Sequence, residues 1–200
     1  MYHFIASIVK GILTVTGGIK VFNREQLPKD GAYVVACTHT GYIDILWLGV
    51  SLLPRQIHYM AKKELFGSKF VGGFLSKLNA FPVDRDNPGP SVLKIPSRLL
   101  SKGEIVGIFP SGTRTNEQTA LKQGAITIAQ RSKVPVVPAV YLGPNTVKEL
   151  LKFKKAKLIF GEPMFIASPD MDAKQARDHF THELEKRFEL LREELQNVRK

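Results

Sequence analysis

Two hundred residues, 44% of them hydrophobic, suit one domain with a substantial core, and the single cysteine, Cys37, excludes a disulfide framework or a cysteine-built metal site within the chain. The formal charge of +11 is unevenly spread: residues 172–200 carry seven basic and seven acidic side chains, while residues 1–171 carry 22 against 11. Such a field attracts nucleic acid, anionic lipid, phosphorylated small molecules or an acidic carrier protein, and by itself chooses among none of them.

Within residues 1–18, Tyr2, Phe4, Ile5, Ile8, Val9, Ile12, Leu13 and Val15 form a broad apolar surface if helical, interrupted by Lys10. A spanning helix needs about 20 apolar residues, and this run is shorter and charged. No basic residue precedes it, which argues against a signal peptide. The pattern predicts an interfacial helix lying on a membrane, with docking on the domain as the alternative, because both need the same stripe. Gly17-Gly18 ends the helix, and residues 19–22 read as a short strand.

The turn Pro28-Lys29-Asp30-Gly31 leads into an apolar run, Tyr33-Val34-Val35-Ala36-Cys37, that reads as a buried strand ending at Thr38. A helix containing Ile45-Leu46-Trp47-Leu48 follows and is closed by Pro54; residues 56–61 read as the next strand. Leu65, Phe66, Phe70, Val71, Phe74, Leu75 and Leu78 recur at helical spacing before a strand over 80–83 and a polar turn over 84–90. Residues 92–100 read as a helix despite Pro96, 104–109 as a strand, 124–132 as a short helix, 134–141 as a strand with two prolines, and 157–160 as a last strand. From about Asp172 a long helix runs to 200, with Phe180, Leu184, Phe188, Leu191 and Leu195 as its apolar stripe. Alternating strands and helices predict a single α/β domain over 1–200, its mainly parallel sheet covered by helices on both faces.

Chemistry concentrates after the strands. His39-Thr40-Gly41-Tyr42-Ile43-Asp44 offers an imidazole and a carboxylate five residues apart. Five residues do not share a helical face, so the two side chains meet only if His39 precedes the helix and Asp44 turns back from its first turn. Then the carboxylate can hold one ring nitrogen while the other takes a proton from a hydroxyl. On these six residues alone, a structural turn histidine with Asp44 set against the helix dipole is the readier explanation. However, Lys62, Arg85 and the run Ser111-Gly112-Thr113-Arg114 also follow predicted strands. In a parallel sheet these ends share one rim, where α/β proteins bind ligands. Three cations there suit a phosphorylated substrate, through arginine's bidentate fork and lysine's mobile charge, with Lys63 able to exchange roles with Lys62.

Rival sites are weaker. Ser111 is not in a G-x-S-x-G elbow, because Phe109 stands where the first glycine belongs. Gly112 instead suits close approach of the backbone to a polar ligand, with Ser111 and Thr113 as hydroxyl donors. Neither G-x-x-x-x-G-K-[ST] nor H-E-x-x-H occurs; His179 and His182, three apart on the last helix, read as solvated residues. Cys37 reads as a small core residue.

Four ordered segments resemble the 1-acyl-glycerol-3-phosphate acyltransferases, and the bacterial enzymes most closely. His39 to Asp44 is similar to their H-x4-D motif, Phe81-Pro82-Val83-Asp84-Arg85 to the second motif, Phe109-Pro110-Ser111-Gly112-Thr113-Arg114 to the third, and Val134-Pro135-Val136-Val137-Pro138-Ala139 to the fourth. Ala61 to Phe66 is similar to the segment between the first two, and the resemblance covers roughly residues 30–165. Two positions depart from the pattern: Thr38 stands where asparagine is usual, and Ser111 where glutamate is usual.

The resemblance implies His39 and Asp44 as the catalytic pair, Lys62, Arg85, Ser111, Gly112, Thr113 and Arg114 as substrate-binding residues, and no metal or cofactor. It implies an acyl-CoA or acyl carrier protein donor, lysophosphatidic acid as acceptor, and phosphatidic acid as product. An anionic membrane surface on the cytoplasmic face, met by a peripheral or monotopic protein, is the expected setting, and no nucleic acid is expected. Ser111 predicts altered contacts to the acceptor, so glycerol-3-phosphate or another lysophospholipid stays open as acceptor. A basic membrane- or nucleic-acid-binding protein without catalysis, and a hydrolase using Ser111, are the readings of other classes.

Overall fold

The structure is a computed structural model and describes residues 2–39, 41–84, 89–110, 115–166 and 171–198, the side chains of 115–119 excepted. Seven strands form one sheet: β1 (Ile19–Phe22), β2 (Tyr33–Cys37), β3 (Ile57–Lys62), β4 (Ala80–Val83), β5 (Ile105–Ile108), β6 (Val136–Leu142) and β7 (Ala156–Phe160). Their spatial order is β1-β7-β6-β2-β5-β3-β4. The five strands β6, β2, β5, β3 and β4 are mutually parallel, so their C-terminal ends form the shared rim that the sequence predicts. The other two depart from it: β7 pairs antiparallel with β6, and β1 runs parallel to β7.

Side-chain alternation along the central strand divides the core. Tyr33, Val35 and Cys37 of β2 enter one apolar cluster, while Val34 and Ala36 enter the other. Helices α1 (Tyr2–Val15) and α2 (Tyr42–Leu52) cover the first face, with Leu13, Trp47 and Leu48 buried there. Helices α4 (Ser91–Leu100), α5 (Thr115–Ser132) and α7 (Ala173–Asn197) cover the second with Leu100, Ile126, Leu184 and Phe188. An ion pair of 2.8 Å between Lys122 and Glu185 joins α5 to α7. On α7, His182 Nδ1 lies 3.6 Å from Glu185 and His179 meets the edge of Phe180.

Several elements differ in extent from their sequence expectation. The helical spacing of 65–78 resolves into a 3-10 turn, Lys63–Phe66, and a separate helix α3 (Lys69–Lys77), whose N-cap Ser68 accepts from the Val71 N–H. α5 begins at Thr115, not 124, and a one-turn helix α6 (Val147–Leu150) precedes β7. The first helix ends at Val15, and the last begins after an Asp172 cap that accepts from the N–H groups of Lys174 and Gln175. Only part of α1 is buried: Tyr2, Ala6 and Leu13 face the domain, while Phe4, Ile8, Ile12 and Val15 are exposed. Among the described residues no helix is long and apolar enough to cross a membrane.

Candidate active site

His39 is set by the strand before it and the helix after it. Thr38 extends the β2 ladder by donating its N–H to Ala139 O at 3.0 Å, and its buried hydroxyl accepts from the Tyr141 N–H at 3.2 Å. The chain therefore reaches His39 clamped to β6, a task that Thr38 performs at the position departing from the family pattern. Asp44 is the third residue of α2, where a carboxylate is favoured by the helix dipole. It is 1% exposed, and its Oδ2 accepts from the Gly41 N–H at 3.1 Å. His39 Nδ1 lies 3.0 Å from Asp44 Oδ1 and 3.2 Å from Oδ2.

An ionised carboxylate only accepts, so this contact assigns the ring proton to Nδ1 and leaves Nε2 with the basic lone pair. The geometry required of the five-residue spacing is met. Phe109, at the end of β5, supports the imidazole from the side at 5.0 Å between ring centroids and itself stacks on Tyr59 at 6.0 Å.

The imidazole opens on an apolar cavity of about 450 Å³ between α2 and α3, above the β3–β4 edge of the sheet. Ile45, Leu46, Leu75 and Leu78 form its walls, with Tyr59 and Ala80 from the strands beneath. Tyr59 is locked in place: its hydroxyl donates to Ile45 O at 2.9 Å, and a Cβ at Gly49 would lie 2.4 Å from that hydroxyl. Behind Tyr59, Ile45, Leu46 and Leu78 lies a second, small void of about 20 Å³, closed on its far side by Tyr2 and Ala6 of α1.

Lys62, the last residue of β3, lines the cavity, with Nζ 3.9 Å from Glu64 Oε2. Lys63 instead bonds Asp84 across the β3–β4 ends, so the two lysines are distinguished by direction. Arg85, Ser111, Gly112, Thr113 and Arg114 lie outside the described residues. The strands that lead to them, β4 and β5, flank β3 in the sheet, and β5 also borders β2. His39, Lys62, Asp84 and Pro110 thus stand at the C-terminal ends of four neighbouring parallel strands.

Cys37 offers no rival chemistry. Burial, reinforced by the Asp44 carboxylate, pushes its thiol well above the ordinary range and keeps it protonated. Sequence reasoning did not find Tyr59, Gly49 or the imidazole support from Phe109. Phe109 was visible only as a member of a motif, and nothing in the local pattern distinguishes Gly49 from a helix-interior glycine.

The acyltransferase family model matches residues 18–142. The chain is 54% identical to the 1-acyl-sn-glycerol-3-phosphate acyltransferase of Bacillus subtilis, over 99% of its own length and 100% of the relative's. It is 30% identical to that of Streptococcus pneumoniae, over 96% of this chain and 74% of the other. The crystal structure of the 1-acyl-sn-glycerophosphate acyltransferase of Thermotoga maritima shares the fold, with a TM-score of 0.70, 20% identity, and coverage of 100% of this chain and 83% of that one. The family model covers more than half of the chain and the Bacillus relative matches its whole length: the chain belongs to the acyltransferase family.

Proposed function

We propose that the protein moves a fatty acyl group from an acyl thioester to the free sn-2 hydroxyl of 1-acyl-glycerol-3-phosphate, giving phosphatidic acid for phospholipid synthesis. The supporting observation is the His39–Asp44 pair, a buried carboxylate holding a half-buried imidazole that opens directly on an apolar cavity. His39 Nε2 takes the hydroxyl proton as the acceptor oxygen attacks the thioester carbonyl. The tetrahedral intermediate then expels a thiolate, which receives that proton from the imidazolium. Asp44 stabilises the imidazolium and fixes its tautomer. No acyl-enzyme forms and no cofactor takes part.

The acceptor's phosphate is held by Lys62, Arg85 and Arg114, with Ser111, Gly112 and Thr113 supplying hydroxyl and amide donors. Arg85→Ala should mainly raise KM for the acceptor; an unchanged KM would remove Arg85 from this role. The donor is acyl-CoA or acyl carrier protein, both anionic and both suited to the basic field. Release of free thiol should accompany phosphatidic acid one for one when lysophosphatidate meets either donor. Thiol release with glycerol-3-phosphate but not with lysophosphatidate would move the acceptor to the alternative.

The cavity takes the acyl chain, with Tyr59 as its end wall. Tyr59→Leu should join it to the void beneath α1 and shift preference toward thioesters a few methylenes longer. The lost ring packing should cost roughly 2–4 kcal/mol of stability. Turnover measured across a series of acyl thioesters of increasing length checks this, and an unaltered length profile would place the chain elsewhere.

The protein works at an anionic membrane, as a peripheral or monotopic protein on the cytoplasmic face. Phe4, Ile8 and Ile12 recur every four residues on the outer side of α1, with Val15 beyond, and form the row that enters lipid.

A further inference from the structure

The connection between β6 and β7 carries an outward surface that packing within the domain does not use. Val147, Leu151 and Phe153 are exposed, Phe153 by 64%. Lys148, Lys152, Lys154 and Lys155 are exposed around them. The one acid in the segment, Glu149, is half-buried and accepts from the Asn145 N–H at 2.7 Å. Leu150 alone plugs the core, in the same cluster as Leu13 of α1.

Phe153 closes the turn with its N–H on Leu150 O and holds a left-handed backbone, φ 54°. Glycine or asparagine fits that conformation more readily, and a bulky ring gains nothing there from folding while it faces solvent. The position thus favours a contact outside the chain. A stable protein partner or second copy would need some 1,200–2,000 Å² of interface, and lysine is depleted from such surfaces. Three apolar side chains ringed by four lysines match the boundary of an anionic bilayer instead, with the one ring and the two aliphatic groups among acyl tails and the ammoniums among headgroups.

We propose that residues 147–155 are a second membrane-contact element whose partner is an anionic lipid bilayer; this deepens the membrane-docking part of the function above by adding a contact outside α1. The element is joined to both parts it must align. The Ala156 N–H donates to Gly18 O, just beyond α1, at 3.0 Å. At its other end Asn145 packs its main chain on Gly41, in the turn between His39 and Asp44. Two-point docking therefore fixes the tilt of the domain and presents the catalytic turn to the lipid surface.

The test uses the full chain, vesicles of phosphatidylcholine with or without phosphatidylglycerol, and two acceptors, lysophosphatidate held in vesicles and a short-chain lysophosphatidate dissolved as monomers. L151S/F153S should weaken vesicle binding by about tenfold or more, the scale of losing two interfacial side chains. It should slow turnover of the vesicle-held acceptor and leave turnover of the monomeric one unchanged. K152Q/K154Q/K155Q should remove the preference for phosphatidylglycerol. Unchanged vesicle affinity in both variants overturns the proposal, as does a change in oligomeric state with vesicle affinity intact. Failure of the wild-type chain to acylate the monomeric acceptor counts against the acyl-transfer reading alone, because vesicle binding is measured without turnover.

Discussion

Replacing His39 with alanine should lower acyl transfer by about 10²–10⁴-fold, the range expected for loss of a positioned general base. The fold should survive, because the side chain sits at the cavity mouth and Asp44 keeps the Gly41 N–H as a partner. The stability cost is about 1–3 kcal/mol, for a buried carboxylate that loses one of its hydrogen bonds. Asp44→Asn should lower transfer by a similar order with the backbone undisturbed, because an amide can present an N–H to Nδ1 and reverse the tautomer. The two groups act as one device, so the double variant should be scarcely worse than either single variant. Single-turnover rates together with thermal melts check this. A His39→Ala protein that melts like wild type and still turns over at an undiminished rate would end the general-base assignment.

The second large effect should come from a residue with no chemistry of its own. A Cβ at Gly41 would lie 2.2 Å from Asn145 O and 2.9 Å from its carbonyl carbon and Cα. Those atoms are main chain and cannot rotate away, so the start of α2 must move. The φ of −174° is ordinary extended backbone, and the obstruction is contact alone. Gly41→Ala should cost about 1–3 kcal/mol of stability, as overpacking does. It should also cost roughly 10²-fold in turnover, because a shift near 1 Å separates His39 from the aim set by Asp44. Asn145→Ala in the same background should not restore activity, since it removes no obstructing atom; restoration would mean that the side chain, not the backbone, is the obstacle.

The His39–Asp44 contact was legible because its geometry is local. An apolar run stops at Thr38, a helix begins within three residues of His39, and a carboxylate in the first turn can only point back or away. The rim was legible as well, since alternation of strand and helix forces parallel neighbours. Direction was not legible at β7. The segment 143–155 contains a single helical turn, α6, too little to carry the chain back across the sheet, and short connections favour antiparallel pairs. The early start of α5 was hidden by polar residues 115–119, which lack an apolar period. The end wall of the cavity depends on Gly49 facing Tyr59 across two elements, and no window of sequence contains such a contact.

The sealed state of Cys37 has a practical corollary. It is the only sulfhydryl in the chain, it is fully buried at the end of the central strand, and its proton is firmly held. A chromogenic disulfide added to the reaction should therefore report any thiol liberated from an acyl thioester in real time, with no background from the catalyst and no inactivation by the reagent.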